Sequence, residues 1–332
     1  METGNSFLKN HAAVAELVDA HVSGACGSNL MRVQVPPAAE SSEIFGPGPK
    51  SAPQIKSLNT NFTIMNPKAL IITGYGINCE EETAKVFEME GAKTEIIHVN
   101  DLIANPKKLD DYQIMAFPGG FSYGDDTGSG NAMANKIKNN LNEEFLNFAK
   151  KDKLIIGICN GFQILANLGI VPALNDDYGK RTVALMHNTQ ARYECRWVYL
   201  KVTSKKCIWT RDIDVIHVPI AHGEGNFYTD SETLKQIQSG DQIAWKYVKE
   251  NGSPANKEFP FNPNGAMEDI AGICDPSGRI LGMMPHPERF NCFVNEDGWQ
   301  LEKENLIRAK KSLPTEGKGL KLFRNAVEYF TK

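Results

Sequence analysis

The chain has 332 residues, 41% hydrophobic and 23% charged, with a formal net charge of −4 and a pI near 6.0. That is ordinary soluble globular composition, and its mild acidity gives no general attraction to nucleic acid or to anionic membranes. No apolar run approaches the roughly 20 residues that cross a bilayer. The seven scattered cysteines contain no C-x-x-C pair, so neither a disulfide framework nor a zinc site is indicated, and a reducing cytoplasm is the simplest compartment.

Residues 1–64 differ from the rest. His11 to Val22 has helical spacing, and the breakers Pro36-Pro37 and Gly46-Pro47-Gly48-Pro49 follow it. No basic stretch precedes an apolar one, so the segment is no secretory signal. Ala13 to Gly24 is similar to peptides conceptually translated from transfer-RNA genes. The expectation is a disordered or spurious extension over 1–64, with Met65 as the true start of a domain over 65–332.

Lys68 to Thr73 is an apolar strand that runs into a Gly74-Tyr75-Gly76 turn. The turn lacks the third glycine of a dinucleotide loop, and no acidic residue ends the next strand, so it reads as a turn only. Glu80 to Glu90 reads as a helix, Thr94 to Val99 and Gln113 to Phe117 as strands, and Leu154 to Ile158 as a fourth strand. Between the last two, Asn131 to Lys150 is an amphipathic helix with Ile137, Leu141, Phe145 and Phe148 on one side. Strands alternating with helices predict an α/β fold whose mostly parallel central sheet is flanked by helices. After Arg196 the chain is strand-rich, over Arg196 to Val202, Asp214 to Val218, Ile243 to Val248, Ala271 to Cys274 and Arg279 to Met284. The tail from Lys303 to Lys332 is basic, with a mixed helical pattern that maps to no chemistry.

Ligands of such sheets sit outside the carboxyl ends of the strands. The fourth strand ends there in Gly157-Ile158-Cys159-Asn160-Gly161, and a helical segment follows. This is the layout of a nucleophile elbow, with a thiol as the presented group. A lone strand-end cysteine is more often a small core residue, but burying a thiol requires no flanking glycines. Met284-Pro285-His286-Pro287-Glu288-Arg289 adds an imidazole and a carboxylate. Alone it reads as a surface turn. With both prolines holding φ, His286 and Glu288 are expected to be extended, pointing the same way. Cys159, His286 and Glu288 are thus the candidate nucleophile, base and orienting carboxylate. Gly119 and Gly120 end another strand, where exposed N–H groups could meet a developing oxyanion, with the Asn160 N–H as the second donor. A simple strand-to-loop turn is the other reading of Gly119-Gly120.

Several segments carry a family resemblance. They are Pro118-Gly119-Gly120-Phe121-Ser122-Tyr123-Gly124-Asp125, Gly157 to Gln163, His187-Asn188-Thr189-x-Ala191-Arg192-Tyr193-Glu194, Pro219-Ile220-Ala221-His222-Gly223-Glu224-Gly225, Asn262-Pro263-Asn264-Gly265 and Met284 to Arg289. In this order they resemble the class I, triad-type glutamine amidotransferases of phosphoribosylformylglycinamidine synthase, an enzyme of purine biosynthesis. The resemblance spans roughly Lys68 to Trp299. Asp126-Thr127-Gly128-Ser129-Gly130 departs from it, in a loop expected to face the partner.

The resemblance implies a flavodoxin-like amidotransferase fold and a glutaminase that works through a Cys159 thioester. It further implies that Gln163, Gly223, Gly225 and Phe227 contact substrate, although a local cap for Gln163 and a plain turn for the other three stay open. No cofactor is implied in this chain. ATP and magnesium belong on a separate large synthetase subunit, since the chain has no Walker-type loop, and a small third subunit is left open. Arg192, Glu194 and Arg289 are open between a docking surface and ordinary solvated charges. Two rival readings remain: a stand-alone cysteine hydrolase or peptidase on the same scaffold, and a non-catalytic regulatory module.

Overall fold

The computed structural model describes residues 66–331, and the expectation for residues 1–64 lies outside them. β1 (Lys68–Thr73) is buried from Ala69 to Ile72, which is why its sequence is continuously apolar rather than alternating. α1 (Glu80–Met89) opens on three glutamates at the positive end of its dipole and stops before Gly91, whose φ is +92°. β2 (Lys93–His98) is exposed at three of its six positions, as befits an edge strand. It leads into the short α2 (Val99–Ala104), which sequence periodicity did not reveal. β3 (Ile114–Phe117) is fully buried, and α3 (Asn131–Lys150) buries Ile137, Leu141, Phe145 and Phe148, the stripe its spacing predicts. β4 (Leu154–Ile158) and α4 (Asn160–Leu168) complete the βα half.

The second half holds β5 (Ala184–Met186), β6 (Glu194–Val202), β7 (Val215–His222), β8 (Asn226–Tyr228) and α5 (Ser231–Ser239). It continues through β9 (Ile243–Val248), β10 (Ile270–Cys274) and β11 (Ile280–Met283). Among the described residues one sheet has nine strands in the order β2-β1-β3-β4-β11-β10-β9-β6-β7, and β5 pairs with β8 in a small second sheet. β2 through β11 in that order run parallel, and β10, β9, β6 and β7 extend the sheet antiparallel. The expected α/β architecture with a strand-rich second half is what forms.

The β10–β11 hairpin decides where the site lies. Asp275 caps its turn, accepting from Ser277 N–H at 3.2 Å and Ile280 N–H at 2.9 Å. The hairpin sends β11 back beside β4, in parallel, with Met283 opposite Ile158. The chain therefore leaves both strands at the same edge, with Cys159 following one and His286 the other. The end of the basic tail is structural. α6 (Trp299–Arg308) is followed by α7 (Leu320–Thr331), whose Phe323 packs edge-on against Phe87 at 5.0 Å. Asn325 there donates to the carbonyls of Trp209 and Arg211.

Candidate active site

Cys159 sits at φ 52° and ψ −108°, a conformation that costs energy for any side chain but is the one that lifts a residue out of a strand-to-helix bend. Its N–H holds Met283 O at 2.8 Å, fastening the elbow to β11. The glycines around it are steric necessities: a β-carbon at Gly161 would lie 1.9 Å from Phe117 O, and one at Gly157 would lie 2.6 Å from Gly161 O. The sulfur, in a residue 5% exposed, reaches Ala221 O at 3.6 Å.

His286 is anchored by its N–H to Pro219 O at 2.8 Å. Its Nδ1 lies 2.6 Å from Glu288 Oε1, and both side chains are sealed from solvent. Burial alone would depress this imidazole. Burial is the largest single influence, but the Glu288 carboxylate and Cys159 together outweigh it, and the ring is held well above its ordinary value. The pair meets by a different route from the one expected. Pro287–Arg289 is a 3₁₀ turn, not an extended segment, with Phe290 N–H bonded to Pro287 O at 3.0 Å. The φ that proline fixes suits the first position of a helical turn as well as a strand.

Gly120 lines a cavity of about 430 Å³ together with Cys159, Gln163, Ala221, His222 and Gly223. Gly119 faces elsewhere, against His286 and Cys79. Asn160 opens α4, where the first N–H groups have no partner inside the helix. Its side chain accepts from Ser122 N–H at 3.3 Å and donates to Gln163 Oε1 at 2.9 Å. Gln163 also donates to Glu224 O at 2.6 Å, so its amide bridges α4 to the turn after β7. Gly225 stands against the His222 ring, and Phe227 is buried in the core; neither is among the cavity-lining residues.

Two of the candidate docking charges are internal. Glu194 is 2% exposed and held by Arg192 at 2.7 Å and Arg196 at 2.6 Å. Arg289 donates to Glu82 at 2.9 Å and to the Cys79 sulfur at 3.1 Å, which removes it from the surface. Only Arg192, at 62% exposure, reaches the cavity rim. The polar segments of the resemblance prove to be braces. Asn188 donates to the carbonyls of Arg192 and His222 and accepts from Gly225 N–H. Asn262 ties Gly265, Ala266 and Asp269 together.

Sequence reasoning gave no role to three residues, although Asp125 and His222 lie in segments of the resemblance. Cys79 is buried beside His286, and burial pushes its thiol up to about 11, so it stays protonated at neutral pH. Cys79, His286 and Glu288 offer donor atoms within 4.8 Å of one another, the geometry of a metal group. Those donors are spent on each other and on Arg289, whose cation lies against the thiol. Asp125 lines the cavity, and burial followed by the Glu224 carboxylate raises it to about 6. His222 also lines the cavity, 2% exposed, with no partner on another residue at either ring nitrogen. The signals available for His222 were its place in the Pro219-to-Gly225 segment and the apolar strand running on into it from Val215.

A strained cysteine on an elbow, an imidazole and a buried carboxylate at the carboxyl edge of a parallel sheet have the arrangement of a triad-type nucleophilic site. Residues 66–330 match the family model described as the CobB/CobQ-like glutamine amidotransferase domain, and the chain belongs to that family. It is 56% identical over 267 residues to phosphoribosylformylglycinamidine synthase subunit PurQ of Methanococcus maripaludis, covering 80% of this chain and 98% of that one. It is 43% identical over 263 residues to the subunit PurQ of Dehalococcoides mccartyi, covering 79% and 97%. Among solved structures, that of PurLQS from Thermotoga maritima aligns with a TM-score of 0.58 at 29% identity, over 80% of this chain and 99% of that chain.

Proposed function

We propose that this chain is the glutaminase subunit of a phosphoribosylformylglycinamidine synthase, acting in the cytoplasm in purine biosynthesis. One observation carries the reading: a cysteine on a strained elbow, bonded to the strand that delivers an imidazole, whose Nδ1 lies 2.6 Å from a sealed carboxylate. The PurQ relatives, covered over nearly their whole length, support the choice of pathway.

Glutamine enters the cavity beside Cys159. The thiol gives its proton to His286 Nε2, the sulfur attacks the side-chain amide carbon, and the C–N bond breaks as His286 returns a proton to the departing nitrogen. Glu288 fixes the tautomer and stabilises the charged ring. The N–H groups of Gly120 and Asn160 meet the oxyanion, each donor contributing about 3 kcal/mol. Water activated by His286 then releases glutamate from the thioester. Ammonia passes to a separate synthetase subunit that holds ATP and magnesium. Protonated ammonia is no nucleophile, which favours a closed route between the sites. No helix among the described residues is long and apolar enough to cross a membrane.

The test is purification of the complex from its native host and an assay of glutamine-dependent amidine formation. A chain that purifies alone and hydrolyses peptides freely would replace this reading with that of a stand-alone hydrolase.

A further inference from the structure

We propose that His222 contacts the reacting nitrogen, accepting a hydrogen bond from the carboxamide of bound glutamine and then from the ammonia that leaves. The proposal rests on the glutaminase reading and adds to it a residue that touches the substrate beyond the triad and the oxyanion donors.

His222 ends β7 and is one of the residues that line the cavity Cys159 opens into. It is 2% exposed, yet neither ring nitrogen has a partner on another residue. A buried polar atom left without a partner is costly, so a site that keeps one is built for something that enters it. The preceding residue, Ala221, accepts the Cys159 thiol through its carbonyl at 3.6 Å, which sets the Ala221-His222 pair beside the nucleophile. The ring has a made place. A β-carbon at Gly225 would lie 2.4 Å from its Cε1, and Asn188 fixes the backbone on both sides through His222 O at 2.8 Å and Gly225 N–H at 3.0 Å.

The chemistry suits the task. Burial, with the His286 charge second, depresses the His222 imidazole to about 3, so it carries no proton at neutral pH. One ring nitrogen is then an acceptor. Such a group holds an N–H without protonating the nitrogen, which must leave as ammonia to be useful. As the sulfur–carbon bond forms and the carbon–nitrogen bond breaks, the proton comes from His286, and His222 forms no covalent bond and gives up no proton.

The experiment compares glutamine with glutamate γ-methyl ester, whose leaving group has no N–H, on the wild-type complex and on His222→Leu. Glutamine kcat/KM should fall roughly tenfold or more in the variant while ester kcat/KM stays within about threefold. Alkylation of Cys159 by iodoacetamide should be unchanged. Equal loss on both substrates, loss of alkylation, or no loss at all overturns the assignment. If His222→Leu does not fold, the same ratio measured on His222→Ala decides it. A wild-type complex inactive on glutamine would instead refute the underlying glutaminase reading.

Discussion

Gly119 owes its lack of a side chain to His286: a β-carbon there would stand 2.7 Å from Cε1 of the imidazole and 3.0 Å from the Cys79 sulfur. The His286 ring is fixed from the other side by Glu288 and has no room to retreat. Gly119→Ala should therefore displace the imidazole from the line between Cys159 and Glu288. A misplacement of about 1 Å costs on the order of 100-fold in rate. Steady-state glutaminase assays should show that loss in kcat, with KM for glutamine nearly unchanged. An alanine variant with wild-type kcat would mean the ring is free to move.

Cys159→Ser removes the proposed nucleophile but keeps the elbow, because serine fits the same space and Gly157 and Gly161 still permit the close backbone approach. In the purified complex, glutamine-dependent synthesis should vanish while synthesis driven by added ammonium salt persists. Loss of both would assign Cys159 a folding or docking role.

Glu288→Gln keeps the volume of a fully buried side chain and removes its charge. The imidazole then loses the carboxylate that offsets its burial. By analogy with the aspartate of serine-protease triads, the rate should fall by roughly a thousandfold or more. Far-UV circular dichroism should be unchanged. An unaffected rate would remove Glu288 from the triad.

The local parts of the site could be read in the residues. The Gly-x-Cys-x-Gly bend has its physical cause within five residues, and the amphipathic stripe of α3 falls where its spacing puts it. The buried strands β1, β3 and β4 announce themselves by continuous apolar runs. What could not be read depends on contacts between distant segments. The charge of Arg289 suggests surface, and only the packing of α1 against the turn after β11 shows that Glu82 and Cys79 draw it inside. His222 stands in a segment of the resemblance, but its place beside the nucleophile shows only when β7 is seen to reach the end of β4. The tail helix α7 has a mixed pattern because its exposed side pairs Arg324 with Glu90 and Glu316 while Phe323 and Ala326 are buried.

Arg289 is the tie between α1 and the catalytic turn, and its side chain is 14% exposed. Arg289→Met keeps the stem and removes the charge, leaving Glu82 without its ion-pair partner. Losing a charged hydrogen bond costs roughly 2 kcal/mol, and a domain of this size should lose about 4–8 °C in Tm. A thermal melt reads this directly. Because the turn carries both His286 and Glu288, kcat should fall as well, and Arg289→Lys should recover part of the Tm.

The two buried imidazoles make opposite contributions to stability as pH changes. His222 is depressed to about 3, so between that value and its ordinary 6.5 the unfolded chain binds a proton that the folded chain refuses. Stability therefore falls as pH falls through that window, by up to about 1.4 kcal/mol per unit. His286 is raised above 6.5, so its contribution is complete below 6.5 and is lost as pH rises through its folded value. Asp125, raised to about 6 by burial and then by Glu224, favours the fold below 3.8 and loses that benefit as pH rises through 6, which partly masks His222. The masking cancels in a difference. Urea unfolding of wild type and His222→Leu at pH 4.5, 5.5, 6.5 and 7.5 should show wild type losing stability relative to the variant as pH falls, because only wild type must keep the His222 ring unprotonated there. Parallel curves would show that the ring takes up a proton as readily in the fold as in water, and would remove the physical basis for its handling ammonia without protonating it.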